Sequence, residues 1–307
     1  MSTFLQHLVD GVSLGSIYAL IALGYTLVYG ILKLINFAHG DLFMLSAYAG
    51  LGACAAFGFA DAGLALGGFA SWAAFSAVLA ASMVAAAGAG WLVERLAYRP
   101  LRRQPRLNLL ITAVGVSLLL ENGAQAVFGA NPRRFPDLVA DTAAFSVGGV
   151  TVGTLDLAVF GTAIVLLGVL EFWVHHTRMG RSMRAVSHSH ETAALLGINV
   201  DSVVSWTFAV GSALAAAAAV LYEAKYPKVE PLMGVLPGIK AFVAAVLGGI
   251  GNLRGAVVGA LLLGLAETFV AAYGASSWRD ALAFGLLILI LLFKPSGLLG
   301  RNVREKV

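Results

Sequence analysis

The sequence predicts an all-α bundle that crosses a membrane about eight times, with one further short segment that is broken or re-entrant. Three observations predict it. Of 307 residues, 59% are hydrophobic and only 12% charged, about half the charge of an average soluble chain. Too few polar residues remain to cover a water-facing surface, and disorder would need the opposite composition. The apolar residues fall in runs long enough to span a hydrocarbon core of about 30 Å, which takes roughly 20 residues. The basic residues fall between those runs, and mostly on one side.

The first run, Leu8–Leu32, has no basic stretch before it and no small-residue cleavage site after it. It is therefore expected to stay in the protein as a span, not to leave as a signal peptide. Leu42–Ala60, Leu64–Val93, Leu107–Phe128, Leu155–Val174, Val203–Tyr222 and Gly255–Tyr273 follow as spans of ordinary length. Ala281–Phe293 is short and is expected to begin near Ser277. Leu236–Ile250 is too short and too marked by Gly and Pro for a straight crossing, and reads as a broken or re-entrant helix. The whole chain, 1–307, reads as a single transmembrane domain with one long polar loop at 175–202. A lone cysteine, Cys54, forbids an intrachain disulfide and a multi-cysteine zinc site.

Orientation follows from the basic residues of short loops, which favour the cytoplasm. Arg95, Arg99, Arg102, Arg103 and Arg106 lie in 94–106; Arg178, Arg181 and Arg184 lie in 175–202; Lys294, Arg301, Arg304 and Lys306 lie in the tail. With Lys33 and Arg254 these are fourteen of the twenty basic residues. The other side keeps Arg133, Arg134, Lys225, Lys228, Lys240 and Arg279, offset by acids that include Asp156, Glu223 and Asp280. The C-terminus is thus expected in the cytoplasm. The N-terminus lies opposite if Leu236–Ile250 crosses, and the parity changes if that segment only dips in. The net charge of +4 reads as this loop asymmetry and not as a nucleic-acid surface. Gly11-x-x-x-Gly15 and Gly255-x-x-x-Gly259 each precede a Tyr-Gly, Tyr29-Gly30 and Tyr273-Gly274, at equal spacing. Such an echo is what an inverted repeat leaves, and the glycines suit close helix crossings, as does the pair Gly63/Gly67.

Four local features carry candidate chemistry. Asn36, His39 and Asp41 sit within six residues between two apolar runs. Polar groups at that depth line a pathway or an interface, or else Asn36 or Asp41 simply caps the next helix. Glu121 with Asn122, and Glu267, lie deep in spans, where a charge costs roughly 2.5–3.5 kcal/mol; each reads as a functional group or as a helix–helix hydrogen bond, while Glu171 is near enough to a span end to reach the interface. In the 175–202 loop, Glu191–Leu196 forms a short helix that Gly197 can end; its alanines suit a groove on another protein, and the arginines earlier in the loop suit a lipid surface. His175, His176, His188 and His190 carry no His-Glu-x-x-His pattern, Gly248-Gly-Ile-Gly-Asn252 lacks the Lys-Ser/Thr of a phosphate loop, and no nucleophile or metal constellation is present. Neither an enzyme active site nor a metal site is expected.

The stretch Gly11-Val-Ser-Leu-Gly-Ser-Ile-Tyr-Ala-Leu-Ile-Ala-Leu-Gly-Tyr-Thr-Leu-Val-Tyr-Gly30, continuing to Ile35-Asn-Phe-Ala-His-Gly-Asp41, closely resembles the first span of the LivH-type branched-chain amino acid ABC importer permeases. Met179-Gly-Arg-Ser-Met-Arg-Ala-Val, ending Thr192-Ala-Ala-Leu-Leu-Gly-Ile-Asn199, resembles the coupling loop of that family, and Pro237-Gly-Ile-Lys through Arg254-Gly-Ala256 resembles its third diagnostic segment. Ser187-His-Ser-His190 departs from the amide- or acid-rich run common there.

The resemblance implies a bacterial inner-membrane permease subunit importing leucine, isoleucine or valine. It implies a second, LivM-like permease, two cytoplasmic ATPase subunits that bind the ATP and Mg, and a periplasmic binding protein. This chain then needs no cofactor of its own. Arg184, Ala185, Glu191, Ala193, Ala194 and Gly197 become candidates for docking the ATPase. Asn36, His39, Asp41, Glu121 and Glu267 become candidates for the pathway or the permease interface, and Gly11, Gly15, Gly255 and Gly259 for helix packing. An ion-coupled secondary transporter, using Glu121 or Glu267, is the competing reading from another class; a relative serving urea or short amides is the competitor within the family.

Overall fold

A computed structural model describes residues 2–59, 68–102 and 104–300. The pair Gly63/Gly67, Arg103 and the tail residues Arg301, Arg304 and Lys306 lie outside the described residues. Eleven α-helices are described: α1 Ser2–Leu32, α2 His39–Ala56, α3 Phe69–Val93, α4 Arg106–Phe128, α5 Thr154–His176, α6 Arg178–His188, α7 His190–Leu195, α8 Val200–Lys225, α9 Val235–Gly248, α10 Leu253–Tyr273 and α11 Arg279–Phe293. Short π and 3-10 turns extend α3 to Leu101, and a 3-10 turn, Ser276–Trp278, leads into α11. Seven helical stretches are long and apolar enough to cross a membrane. The second expected span, α2, is eighteen residues long, and its polar start, His39-Gly-Asp41, dilutes its hydropathy.

Helices α1 and α8 form the centre. Apolar residues surround both on all sides, and 89% and 83% of their most apolar windows are buried, against 17% for α4 and α5. A helix apolar all round belongs in a core, whereas the outer helices present their free faces to lipid or another subunit. α1 meets α8 where Gly24 approaches Gly211. It meets α10 where Gly11 lies on Leu265 and Gly15 on Leu261, so α1 and α10 run antiparallel. Gly255 and Gly259 instead turn towards Gly248 and Ala244 of α9.

The inversion appears in another register. α1 ends as Lys33 adopts φ 52°. The chain then turns back into the bundle, and α2 starts beside Gly24 and Tyr25, about 12 Å inside the end of α1. After α8, residues 226–234 likewise turn inward from the opposite end, and α9 starts against Gly40. Each unit is a full helix, a return and a half-helix, and the two units run in opposite senses. Leu236–Ile250 is therefore the second half of a crossing: α8 ends at one face of the bundle and α10 begins at the other, which places the N-terminus opposite the end of α11.

One correction to an all-α reading is a hairpin, β1 Ala143–Val147 and β2 Val150–Gly153. Gly148 and Gly149, at φ 60° and 82°, form the two-residue turn with both central φ positive that twisted strands prefer. It packs by the start of α1, where Gln6 accepts from Thr151 N–H and donates to its carbonyl, at 2.8 and 3.0 Å. At the opposite, basic end lie Lys33, the α3 extension, α6, α7 and the starts of α8 and α10. His190 of α7 contacts the Ile31 carbonyl at 2.9 Å, and Arg254 bonds Glu171 near the end of α5. Lys33, Arg95, Arg99, Arg102, Arg178, Arg181, Arg184, Arg254 and Lys294 thus lie on elements that gather at one end.

Candidate functional site

The two half-helix N-termini meet near the middle of the bundle. A Cβ built on Gly40 would lie 2.6 Å from the Gly234 carbonyl oxygen, and one on Gly238 would lie 2.9 Å from the Gly40 Cα. Only hydrogen fits there. Around this contact the expected polar trio is wholly buried. Neither Asn36 nor Asp41 caps α2, whose N-cap is Ala38. Asn36 instead accepts a hydrogen bond from Tyr98 at 2.5 Å. His39 packs edge-on to Tyr25 with ring centroids 4.5 Å apart. Asp41 faces Ser117 and Glu121 of α4. Asn36 Nδ2, His39 Nε2 and Asp41 Oδ2 have no hydrogen-bond partner among the described residues. Buried polar atoms without partners are rare, so this junction is a place of unusual polarity in an apolar bundle. On its basic side, between Tyr25, Tyr29, Ile35 and Phe242, remains a void of only ≈ 10 Å³, the volume of about one water.

On the hairpin side opens a cavity of ≈ 960 Å³. Its floor is ionic. Lys240 of α9 bonds Glu267 of α10 at 2.7 Å and Asp280 of α11 at 2.8 Å, while Tyr18 of α1 donates to Glu267 at 3.0 Å. Tyr18 lies sixteen residues from the start of α1 and fourteen from its end, so the cluster sits about 21–24 Å from either end of that helix. Nearer the mouth, Lys225 bonds Asp156 at 2.5 Å and Ser13 at 2.9 Å. Glu267 was legible as a deep acid. Lys240 and Asp280, counted on the side opposite the basic loops, do face the hairpin-side cavity, but Lys240 reaches it from inside an apolar run, the signal that marks a functional group in a membrane. Glu223, assigned with them, is instead fully buried in α8.

The basic end carries the loop helices. Thr177 caps α6 by accepting from Gly180 N–H, and Ser189 caps α7 by accepting from Thr192 N–H. Gly197, at φ 78°, ends α7 as its sequence implied: Gly197 N–H bonds Ala194 and Ile198 N–H bonds Ala193, the paired closure of a helix finished by glycine. Of the docking candidates, Glu191, Ala194 and Gly197 face outward with Leu195 and Leu196. Ala193 is buried and Ala185 half-buried, so they hold the loop to the bundle. Arg184 turns its guanidinium to the Val174 carbonyl and closes the end of α5.

Beside α7 lies a groove of ≈ 830 Å³ bordered by Glu191, Ala194, Arg99 and Asp201. Its wall is an ion network. Arg102 bonds Glu94, which is fully buried, and Asp201 at 2.8 Å, and Ser205 donates to Glu94. Burial lowers the Arg102 pKa, and the neighbouring Asp201 carboxylate opposes that shift. Arg102→Met would leave the Glu94 carboxylate buried without a counter-charge, a change that costs about 3–5 kcal/mol. The expected result is a clear fall in the thermal midpoint of the purified protein, and a midpoint within error of the parent would show that Glu94 does not need its partner.

Residues 7–291 match the family model described as the permease component of a branched-chain amino acid transport system. The chain is 43% identical to the high-affinity branched-chain amino acid transport system permease protein BraD of Pseudomonas aeruginosa, over 99% of this chain and 98% of that one. It is 40% identical to the corresponding LivH protein of Escherichia coli K12, over the same shares. The ribose import permease protein RbsC of Escherichia coli K12 is 29% identical, over only 42% of this chain and 43% of its own. The end-to-end likeness is thus to the amino acid systems and not to the sugar system.

Proposed function

Because the chain belongs to the family of branched-chain amino acid transport permeases, we propose that it forms half of the membrane pathway of an importer for leucine, isoleucine and valine. It is a permease subunit of an ABC transporter in the inner membrane, not an enzyme, and ATP hydrolysis belongs to partner ATPase subunits. In this reading a second, LivM-like permease completes the pathway, a periplasmic binding protein delivers the amino acid to the hairpin end, and the basic end with the C-terminus faces the cytoplasm. ATP and Mg are held by the partners.

The observation that carries the reading is the closed junction between two unequal sides. An open cavity lies above Gly40, Gly234 and Gly238, and the void between Tyr25, Tyr29, Ile35 and Phe242 below them holds only ≈ 10 Å³. An importer needs this: one plane, closed to one side while open to the other. The loop helix α7 is tied to the end of α1 by one hydrogen bond, His190 to the Ile31 carbonyl, and the α3 extension holds the return into α2 through a second, Tyr98 to Asn36. Movement of α6 and α7 on an ATPase would thus reach the half-helix junction directly, and biasing one site biases the other by the same free energy.

The test is uptake by proteoliposomes holding this chain, its partner permease, the ATPases and the binding protein. Leucine should accumulate only with ATP and only when this chain is present. Uptake that collapses with an uncoupler and survives without ATP would favour an ion-coupled carrier.

A further inference from the structure

From the cavity floor we infer that Lys240, Glu267 and Asp280 form a recognition site for the zwitterionic head of an α-amino acid, with the ligand carboxylate on Lys240 and its ammonium on Asp280. The inference rests on the cavity being the outer half of the pathway. Two features support it. The cluster lies near the middle of α1, where a charge is expensive unless it does something. Its two arms differ: the Glu267 side chain is 4% exposed and held by both Lys240 and Tyr18, whereas that of Asp280 is 48% exposed and bonded to Lys240 alone. The site therefore has a fixed anchor and an arm that can open.

The chemistry selects a zwitterion. Opening the Lys240–Asp280 contact frees the Asp280 carboxylate and one side of the Lys240 ammonium, which Glu267 still holds, leaving a neighbouring anion and cation for the two charged groups of one ligand. Inserting the ligand exchanges one ion pair for two and leaves no buried charge unpaired. A ligand with a carboxylate alone would take Lys240 from Asp280 and give that carboxylate nothing in return, and one with an ammonium alone would place a second cation beside the buried Lys240 with no anion to match it. Leu14, Leu236, Tyr222 and Ala271 border the same cavity and offer apolar surface to an aliphatic side chain.

The experiment uses the assembled transporter without its binding protein, so that selection by that protein does not intervene. Cys54 is replaced by serine, Ala271→Cys is introduced at the cavity wall, and labelling by a membrane-impermeant maleimide is followed. At a leucine concentration about ten times its dissociation constant, labelling should slow about tenfold. Leucine amide and 4-methylpentanoate, each lacking one charge, should protect far less. Protection should vanish in Asp280→Asn and Lys240→Gln and partly return in Lys240→Arg. Asp280 is exposed enough that its substitution should not unfold the bundle, which keeps the test decisive if Lys240→Gln fails to assemble. Labelling that leucine does not slow, or protection that survives Asp280→Asn, would overturn the inference. If Ala271→Cys does not label in any variant, the cavity is not open outward and the reading of the pathway fails first.

Discussion

Gly40→Val is expected to abolish ATP-driven leucine uptake while the protein still inserts in the membrane. A Cβ at this position would lie 2.6 Å from the Gly234 carbonyl and 3.3 Å from the Gly238 Cα. Both neighbours are backbone atoms of another helix, so no rotamer change relieves the clash. Overpacking of this kind costs about 1–3 kcal/mol, and here it forces α2 and α9 apart at the plane that separates the two sides. Gly40 has no positive φ, so the effect is purely one of space. Gly52, on the same helix, has nothing within 4 Å of its own Cβ position. Gly52→Ala should therefore be neutral, or stabilising by roughly 0.5–1 kcal/mol from helix propensity. Equal effects of Gly40→Ala and Gly52→Ala on uptake and thermal midpoint would show that close approach at the junction is not required.

Ala194→Trp is expected to uncouple the permease from ATP hydrolysis. Ala194 and Glu191 face outward beside the groove at the basic end, while Ala193 beneath them is buried. A large ring at Ala194 blocks close approach of a partner without disturbing the packing of α7. The loss of a central interface contact is about 2 kcal/mol, or about 30-fold in affinity. Glu191→Arg should act in the same direction by reversing a charge at the edge of the contact. Both are read by uptake and by co-purification of the ATPase subunits. Unchanged uptake in a correctly assembled complex would remove this face from the docking surface. Arg184→Ala serves as the contrast, since Arg184 caps α5; its loss should lower stability more than coupling.

Most of the fold was legible because membrane spans are written in composition and length. Each expected span corresponds to a helix, and the elements that carry the described basic residues of that side gather at one end. The starts of α2 and α9 were not legible at their true depth. His39-Gly-Asp41 reads equally well as an interfacial turn, and only the return of 33–38 beside Gly24 carries it inward. The echo between Gly11/Gly15 and Gly255/Gly259 pointed to inversion in the wrong register, because small residues mark close crossings of any kind, and these two pairs cross different helices. The hairpin leaves only a short signal, Gly148-Gly149 between valines, beside the long apolar runs that dominate the chain.

The candidate site was legible by halves. Glu267 stood out as an acid in an apolar span, but its partners come from two other helices, Lys240 of α9 and Tyr18 of α1, the latter 249 positions away, and a linear reading cannot assemble them. Lys240 carried a signal that went unused, a cation in the run Leu236–Ile250. Glu94 and Arg102 looked like members of a solvated basic loop; the π turn that prolongs α3 is what folds Glu94 inward against Ser205.

The central claim is that one closed plane at Gly40, Gly234 and Gly238 separates two accesses that open in turn. It is tested most directly by paired cysteines in the Cys54→Ser background, one at Ala271 above the plane and one at Ala245 below it. Labelling is measured in the assembled transporter with and without a non-hydrolysable ATP analogue. The account predicts that nucleotide moves the two rates in opposite directions, so that whenever one position gains access the other loses it. Rates that rise together, or that nucleotide leaves unchanged at both positions, would contradict it.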